Sequence, residues 1–199
     1  MSWESSLEYY KLLNLGVEQR LGGLHSARIV MSSVDFHEVT ELQRAGRWDE
    51  VGTALADAAR GVEAAGADLL LMCTTAFHTV ADRVEAAVSV PFLHLADVVA
   101  DACKGRGLTS VGLIGTSFAM QQPFFVDRII YDELVHGKVV DTSRTTVVGV
   151  VDELWDAGAQ GVILGCTELE LLVKQADSEV PVFPCTTLHV EAALDRALS

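Results

Sequence analysis

Apolar positions along this chain switch between two periods, and the switches outline its elements. Leu7, Tyr10, Leu13 and Val17 recur at helical spacing and predict an opening helix, with Ser2 and Ser5 as candidate caps and Gly22-Gly23 as its stop. Residues 28–34 form a short β-rich run that predicts a strand. Val51, Leu55, Ala58 and Val62 share one face of a helix expected over 48–65. It leads into Asp68-Leu69-Leu70-Leu71-Met72, a continuous apolar strand ending at Cys73. A helix to about residue 88, a strand over 90–95 and a helix to about residue 105 follow. The second half reads as a strand over 110–115, a polar turn at Thr116-Ser117, and helical stretches over 118–136 and 142–157. A strand over 161–165, a helix after Cys166, a strand over 180–183 and a last helix from about Leu188 complete it. Apolar strands alternating with amphipathic helices predict an α/β fold of parallel sheets covered by helices.

One unit is written twice. Ala65-Gly66-Ala67, an apolar strand, Cys73-Thr74 and Val90-Pro91-Phe92 correspond to Ala157-Gly158-Ala159, an apolar strand, Cys166-Thr167 and Val180-Pro181-Val182. The duplication predicts two pseudo-symmetric lobes, each with a parallel sheet, and an active-site cleft between them with one sulfur on either side. The expected first lobe spans 1–95 plus 187–199, and the second spans 96–186. The halves are not identical: the first lacks a strand ahead of its first helix, and the second lacks one between its first two helices.

Composition narrows the partners. The 199 residues are 50% hydrophobic and 21% charged, which suits a globular chain with a real core. A net charge of −14 offers no basic stripe for phosphates, so neither nucleic acid nor an anionic membrane is expected. No apolar run reaches the roughly 18 residues of a membrane span, and no signal peptide is visible. Four cysteines without clustered spacing read as reduced, cytoplasmic thiols.

The two Cys-Thr junctions carry the chemistry. Ligands of parallel α/β sheets bind at the carboxyl ends of strands, where Cys73 and Cys166 stand. A following helix N-terminus should lower each thiol's pKa. Thr74, Thr75 and Thr167, with free backbone N–H groups around them, could hold a substrate carboxylate. Facing thiols suit proton removal from a carbon acid on one face and protonation on the other, which needs no cofactor. The absence of Cys-x-x-Cys, of zinc-ligand spacing and of a Gly-x-Gly-x-x-Gly argues against redox, metal and dinucleotide chemistry. Cys103 and Cys185 read as structural, while His78 reads equally as core or as thiol-tuning. Glu168 is either a proton acceptor or a solvated first-turn acid, and His189, early in the last helix with Thr187, reads equally as a cleft-facing site residue or as a residue without a site role.

The motifs Met-Ser-Trp-Glu-Ser-Ser (1–6), Leu-Gly-Gly-Leu-His-Ser-Ala (21–27), Ser-Val-Asp-Phe (33–36), Cys73-Thr74, Gly165-Cys166-Thr167-Glu168 and Thr186-Thr187-Leu188-His189 resemble the aspartate/glutamate racemase family across nearly the whole chain. The resemblance implies a cofactor-independent racemase of small amino acids, usually a homodimer, with Cys73 and Cys166 as acid and base. It further implies substrate contacts from Ser2, Trp3, Thr74, Thr75 and Thr116, with Glu168 and His189 nearby, and Cys166 facing the L-enantiomer's proton. This sequence departs from the family pattern in starting at the Met of Met-Ser-Trp, in lacking about twenty residues between Arg128 and Ile129, and at Thr75 and Cys185, where Asn and Asp are usual. The alternatives are a ligand-binding homologue without turnover, or a related maleate isomerase, hydantoin racemase or malonate decarboxylase activity. Arg28, Lys138 and Arg144 are the candidate cations for a side-chain carboxylate; without one, loose specificity toward neutral polar amino acids is expected.

Overall fold

The computed structural model describes residues 1–116 and 124–199. The expected turn residue Ser117 and the start of the helix expected over 118–136 lie outside them. The chain divides into two compact units. The first comprises Met1–Cys73, Phe77–His94 and Val190–Ser199, and the second comprises Thr74–Ala76 and Leu95–His189.

In the first unit, helix α1 (Trp3–Leu21) starts where the hydroxyl of its N-cap Ser2 accepts the Ser5 amide, and it ends at Gly22 with φ 73°. That positive φ is a conformation only glycine adopts cheaply. Its inward face differs from expectation. Tyr9 and Val17 are buried against Val190 and Leu194, whereas Leu7 and Tyr10 are exposed. Leu and Tyr occur at two overlapping helical spacings in this segment, and tertiary partners chose between them.

The run 28–34 forms no strand. β-propensity describes fit to a neighbouring strand, and without a ladder it does not make a strand. The stretch is tethered instead by the Ala27 amide, which donates to Asn14 Oδ1 at 3.0 Å. Helix α2 (Phe36–Arg44), absent from the sequence expectation, follows an N-cap at Asp35, whose carboxylate accepts the His37 amide at 2.9 Å. Its signature was present in Asp35 followed three residues on by Glu38.

Helix α3 (Trp48–Ala64) forms as expected and buries Val51, Leu55, Ala56 and Ala59. The strands expected over 68–72 and 90–95 reduce to one parallel bridge, Leu70 to Phe92. Leu70 N–H donates to Pro91 O at 2.9 Å and Leu93 N–H to Leu70 O at 3.0 Å. The apolar run is buried all the same: Leu70 and Met72 join Val51, Leu55, Phe77, Val80 and Val84 in one core cluster. Instead of one longer helix after Cys73, a 3-10 turn (Ala76–Val80) runs into α4 (Ala81–Glu85).

The second unit carries the sheet. After α5 (Leu95–Gly105) come β1 (Gly112–Ile114), β2 (Val162–Leu164) and β3 (Val182–Pro184), parallel and in the order β1-β2-β3. Between β1 and β2 lie α6 (Phe124–Arg128), a π-turn over Ile129–Glu133, a 3-10 turn over Leu134–His136, and α7 (Asp141–Asp156). The helix expected to run on to residue 136 is therefore helical throughout its described part but changes period twice. Between β2 and β3 lies α8 (Leu169–Leu172), and after β3 comes α9 (Cys185–Ala197). Ile114, Leu134, Val147, Val151, Val162, Leu164 and Leu169 form the core of this unit. Burying each such side chain contributes roughly 1.5–3 kcal/mol. Among the described residues no helix is long and apolar enough to cross a membrane.

Candidate functional site

The sheet register of the second unit aligns three of the chain's notable residues. Ile114, Leu164 and Pro184 are matched across β1, β2 and β3. Thr116, Cys166 and Thr186 each lie two residues beyond, past the ends of neighbouring strands at the carboxyl edge where parallel α/β sheets gather ligands, Thr186 already in the first turn of α9. All three are buried. Gly165, just before the cysteine, allows this approach: its N–H donates to Ile114 O at 2.6 Å. A β-carbon there would sit 2.5 Å from Leu113 Cδ1 and 3.1 Å from Ile114 O.

Around Cys166 the polar contacts are local. Its thiol donates to Glu168 Oε2 at 3.0 Å, and the Thr167 hydroxyl donates to the same oxygen at 2.7 Å. Glu168 is 5% exposed, so it is not a solvated first-turn acid. Burial, followed by the charge of Glu168 and the hydrogen bond to it, pushes the Cys166 thiol well above its ordinary range. The expectation of a lowered thiol pKa is overturned. Helix α8 starts only at Leu169 and is four residues long, so its dipole is weak and is outweighed by desolvation.

In the first unit, Cys73 closes the apolar run. Its carbonyl accepts the Ser5 hydroxyl at 2.9 Å and the Met1 amino group. Ser2 in turn holds the Ser5 amide at 3.1 Å. Ser2 is thus brought to Cys73 through Ser5, a residue the sequence marked only as a cap, while Trp3 is 60% exposed at the start of α1. Burial pushes the Cys73 thiol up to about 11.

The remaining candidates are placed as follows. Thr74 is buried, and the Thr75 hydroxyl is shielded from solvent without a hydrogen-bond partner. Both group with the second unit. His189 is fully buried on α9. His78 packs edge-on against His94, with ring centroids 4.7 Å apart, and stacks on Phe92 at 5.8 Å. Cys103 and Cys185 are buried in a cluster with Leu95, Val99 and Phe183. Of the candidate cations, Arg28 and Lys138 are exposed. Arg144 is engaged within the second unit, donating from Nε to Leu172 O at 2.7 Å and from Nη1 to Asp141 at 3.0 Å. Among the described residues no three His, Cys, Asp or Glu side chains converge as a metal-holding group.

The sequence reading passed over Glu170. It is 2% exposed and accepts hydrogen bonds from the start of α9. An acid one residue past Leu169 in a short helix gives no local signal of a partner sixteen residues away.

Comparison with known proteins gives a consistent answer. The family model for Asp/Glu/hydantoin racemases matches residues 1–131 and 126–193. A Yersinia pestis protein provisionally named an Asp/Glu racemase is 42% identical, with a TM-score of 0.87 over 100% of this chain and 96% of that one. An aspartate racemase homologue from Pyrococcus horikoshii is 28% identical, with a TM-score of 0.80 over 98% of this chain and 95% of that one. The aspartate racemase of Picrophilus torridus, 16% identical, shares the fold with a TM-score of 0.73 over 98% of this chain and 90% of that one. A family model matched over nearly the whole chain and a relative 42% identical over its full length lead to one conclusion: this chain belongs to the Asp/Glu/hydantoin racemase family.

Proposed function

We propose that the chain racemises a small amino acid, acidic or broadly polar, without a cofactor, using Cys73 and Cys166 as the acid–base pair. The observation that carries this reading is the seat of Cys166, two residues past β2 on the carboxyl edge of the sheet, with its thiol proton directed at Glu168. Family membership supplies the reaction class.

In this reading the two thiols do not start alike. Burial alone raises Cys73, whereas burial and the adjacent Glu168 carboxylate both hold the proton on Cys166. Cys73 is therefore the thiol more readily ionised, and Cys166 begins as the acid. The Cys73 thiolate takes the α-proton, and the electron pair left on carbon is held by the substrate carboxylate. The Cys166 thiol then delivers its proton to the opposite face, leaving its own thiolate. The reverse reaction restores the starting state, so protons balance over the cycle. The Thr167 hydroxyl, Thr74, Thr75 and Thr116 are the proposed carboxylate and ammonium contacts, with Ser2, Trp3 and His189 as further contacts.

Arg144, engaged by Leu172 and Asp141, favours substrates whose side chain needs hydrogen bonds rather than a cation. The test is chiral chromatography on L- and D-aspartate, glutamate, asparagine and homoserine, with wild type, Cys73→Ser and Cys166→Ser. Expected are turnover by wild type, no racemisation by either variant, and no large preference for aspartate. Full turnover with both cysteines replaced would end the reading. Because the family model also covers hydantoin racemases, hydantoins belong in the panel. Inversion of hydantoins alone would keep the mechanism and change the substrate.

A further inference from the structure

Helix α9 begins without a capping side chain of its own. Pro184 precedes it and Cys185 is its first residue, so no Ser, Thr, Asp or Asn stands where an N-cap oxygen would be. The second and third residues, Thr186 and Thr187, carry the amides that such a cap would satisfy. Glu170 takes both. One carboxylate oxygen accepts the Thr186 N–H, and the other accepts the Thr187 N–H at 3.2 Å and the Thr187 hydroxyl at 2.9 Å. Glu170 is itself 2% exposed, on α8.

Two carboxylates two residues apart therefore do different work. Glu168 holds the Cys166 thiol, and Glu170 holds the first turn of α9, which leads into His189. We infer that Glu170 is a positioning residue for the reaction: it fixes the start of α9, and with it Thr187 and His189, to the short segment that also bears Cys166. A buried carboxylate is costly to leave unpaired, and three donors at a helix N-terminus are an arrangement that keeps one in place. Burial raises the pKa of Glu170 and outweighs these donors, which lower it. The inference rests on the racemase reading, because Thr187 and His189 matter to turnover only if they face substrate.

The experiment compares wild type, Glu170→Ala and Glu170→Gln on the amino acid that wild type turns over fastest. Folding is checked by circular dichroism, and exchange of the Thr186 and Thr187 amides by NMR. Losing charge-assisted hydrogen bonds at a helix start should speed exchange of those two amides by about 10- to 100-fold in Glu170→Ala. KM should rise on the order of tenfold, with kcat changed less than about threefold. Glu170→Gln keeps an acceptor of the same shape and should recover at least half of the KM effect on a logarithmic scale. A merely structural role would shrink the active fraction and lower apparent kcat while leaving KM alone. An unchanged KM in folded Glu170→Ala overturns the inference while the racemase reading stands; if the alanine variant does not fold, Glu170→Gln, which keeps one of the two acceptor oxygens, overturns it if neither the Thr186 nor the Thr187 amide exchanges faster than in wild type. Wild type inert toward every substrate in the panel overturns the racemase reading first, and the role of Glu170 with it.

Discussion

Replacing Glu168 by Gln tests how Cys166 is held as a thiol. The substitution preserves shape and removes one negative charge whose oxygen lies 3.0 Å from the sulfur. Two unit charges at that distance repel by about 1.4 kcal/mol even at the dielectric of bulk water, and by about 5.5 kcal/mol at an effective dielectric near 20. The smaller figure already corresponds to a roughly tenfold larger thiolate fraction. A less basic thiolate is a weaker nucleophile, with a Brønsted coefficient of about 0.4–0.5, so the net gain in reactivity is roughly threefold as a lower bound. The assay is iodoacetamide alkylation read residue by residue by peptide mass spectrometry, from about pH 6 to about pH 10. Cys166 should react at least about threefold faster in Glu168→Gln near neutral pH, and Glu168→Asp, which keeps the charge, should stay closer to wild type. Cys103, buried in a separate cluster, serves as the control for general loosening. A folded Glu168→Gln protein whose Cys166 reacts no faster than wild type would refute the argument that the carboxylate holds the proton there.

Three further outcomes follow from local geometry. Ser2→Ala removes the hydroxyl that caps α1, and should cost about 0.5–2 kcal/mol in urea unfolding; no loss would mean that the Ser5 and Met1 contacts at Cys73 suffice to seat the helix. Gly165→Ala forces a β-carbon against Leu113 and the Ile114 carbonyl. It should destabilise by about 1–3 kcal/mol and lower turnover, while an unchanged unfolding midpoint would show that the strand end gives way easily. Cys73 holds its proton more tightly when folded, at about 11 against an ordinary 9.0, so its contribution to stability is complete below about pH 9 and fades as pH rises through about 11. Wild type should therefore lose more stability across that window than Cys73→Ser, and identical pH profiles would show that burial does not set this thiol.

The sequence by itself determined the alternation of elements, the two Cys-Thr junctions and the reaction class. These rest on local rules: apolar runs bounded by turns, helical spacing, and repeated residue types at repeated offsets. It also holds a local signal for the start of α2, Asp35 followed three residues on by Glu38. Only the tertiary structure decided the rest. Whether an apolar run becomes a strand depends on a neighbour to pair with, so 161–165 joined a three-stranded sheet while 68–72 reached a single bridge. Which stripe of α1 turned inward depended on Val190 and Leu194, far along the chain. The thiol pKa values went against the local expectation because desolvation is a property of everything packed around a group, whereas a short helix contributes only its first turn. Glu170 capping α9 was invisible for the same physical reason: hydrogen bonds that span sixteen and seventeen residues in sequence leave no periodicity, and only folding brings their ends within reach.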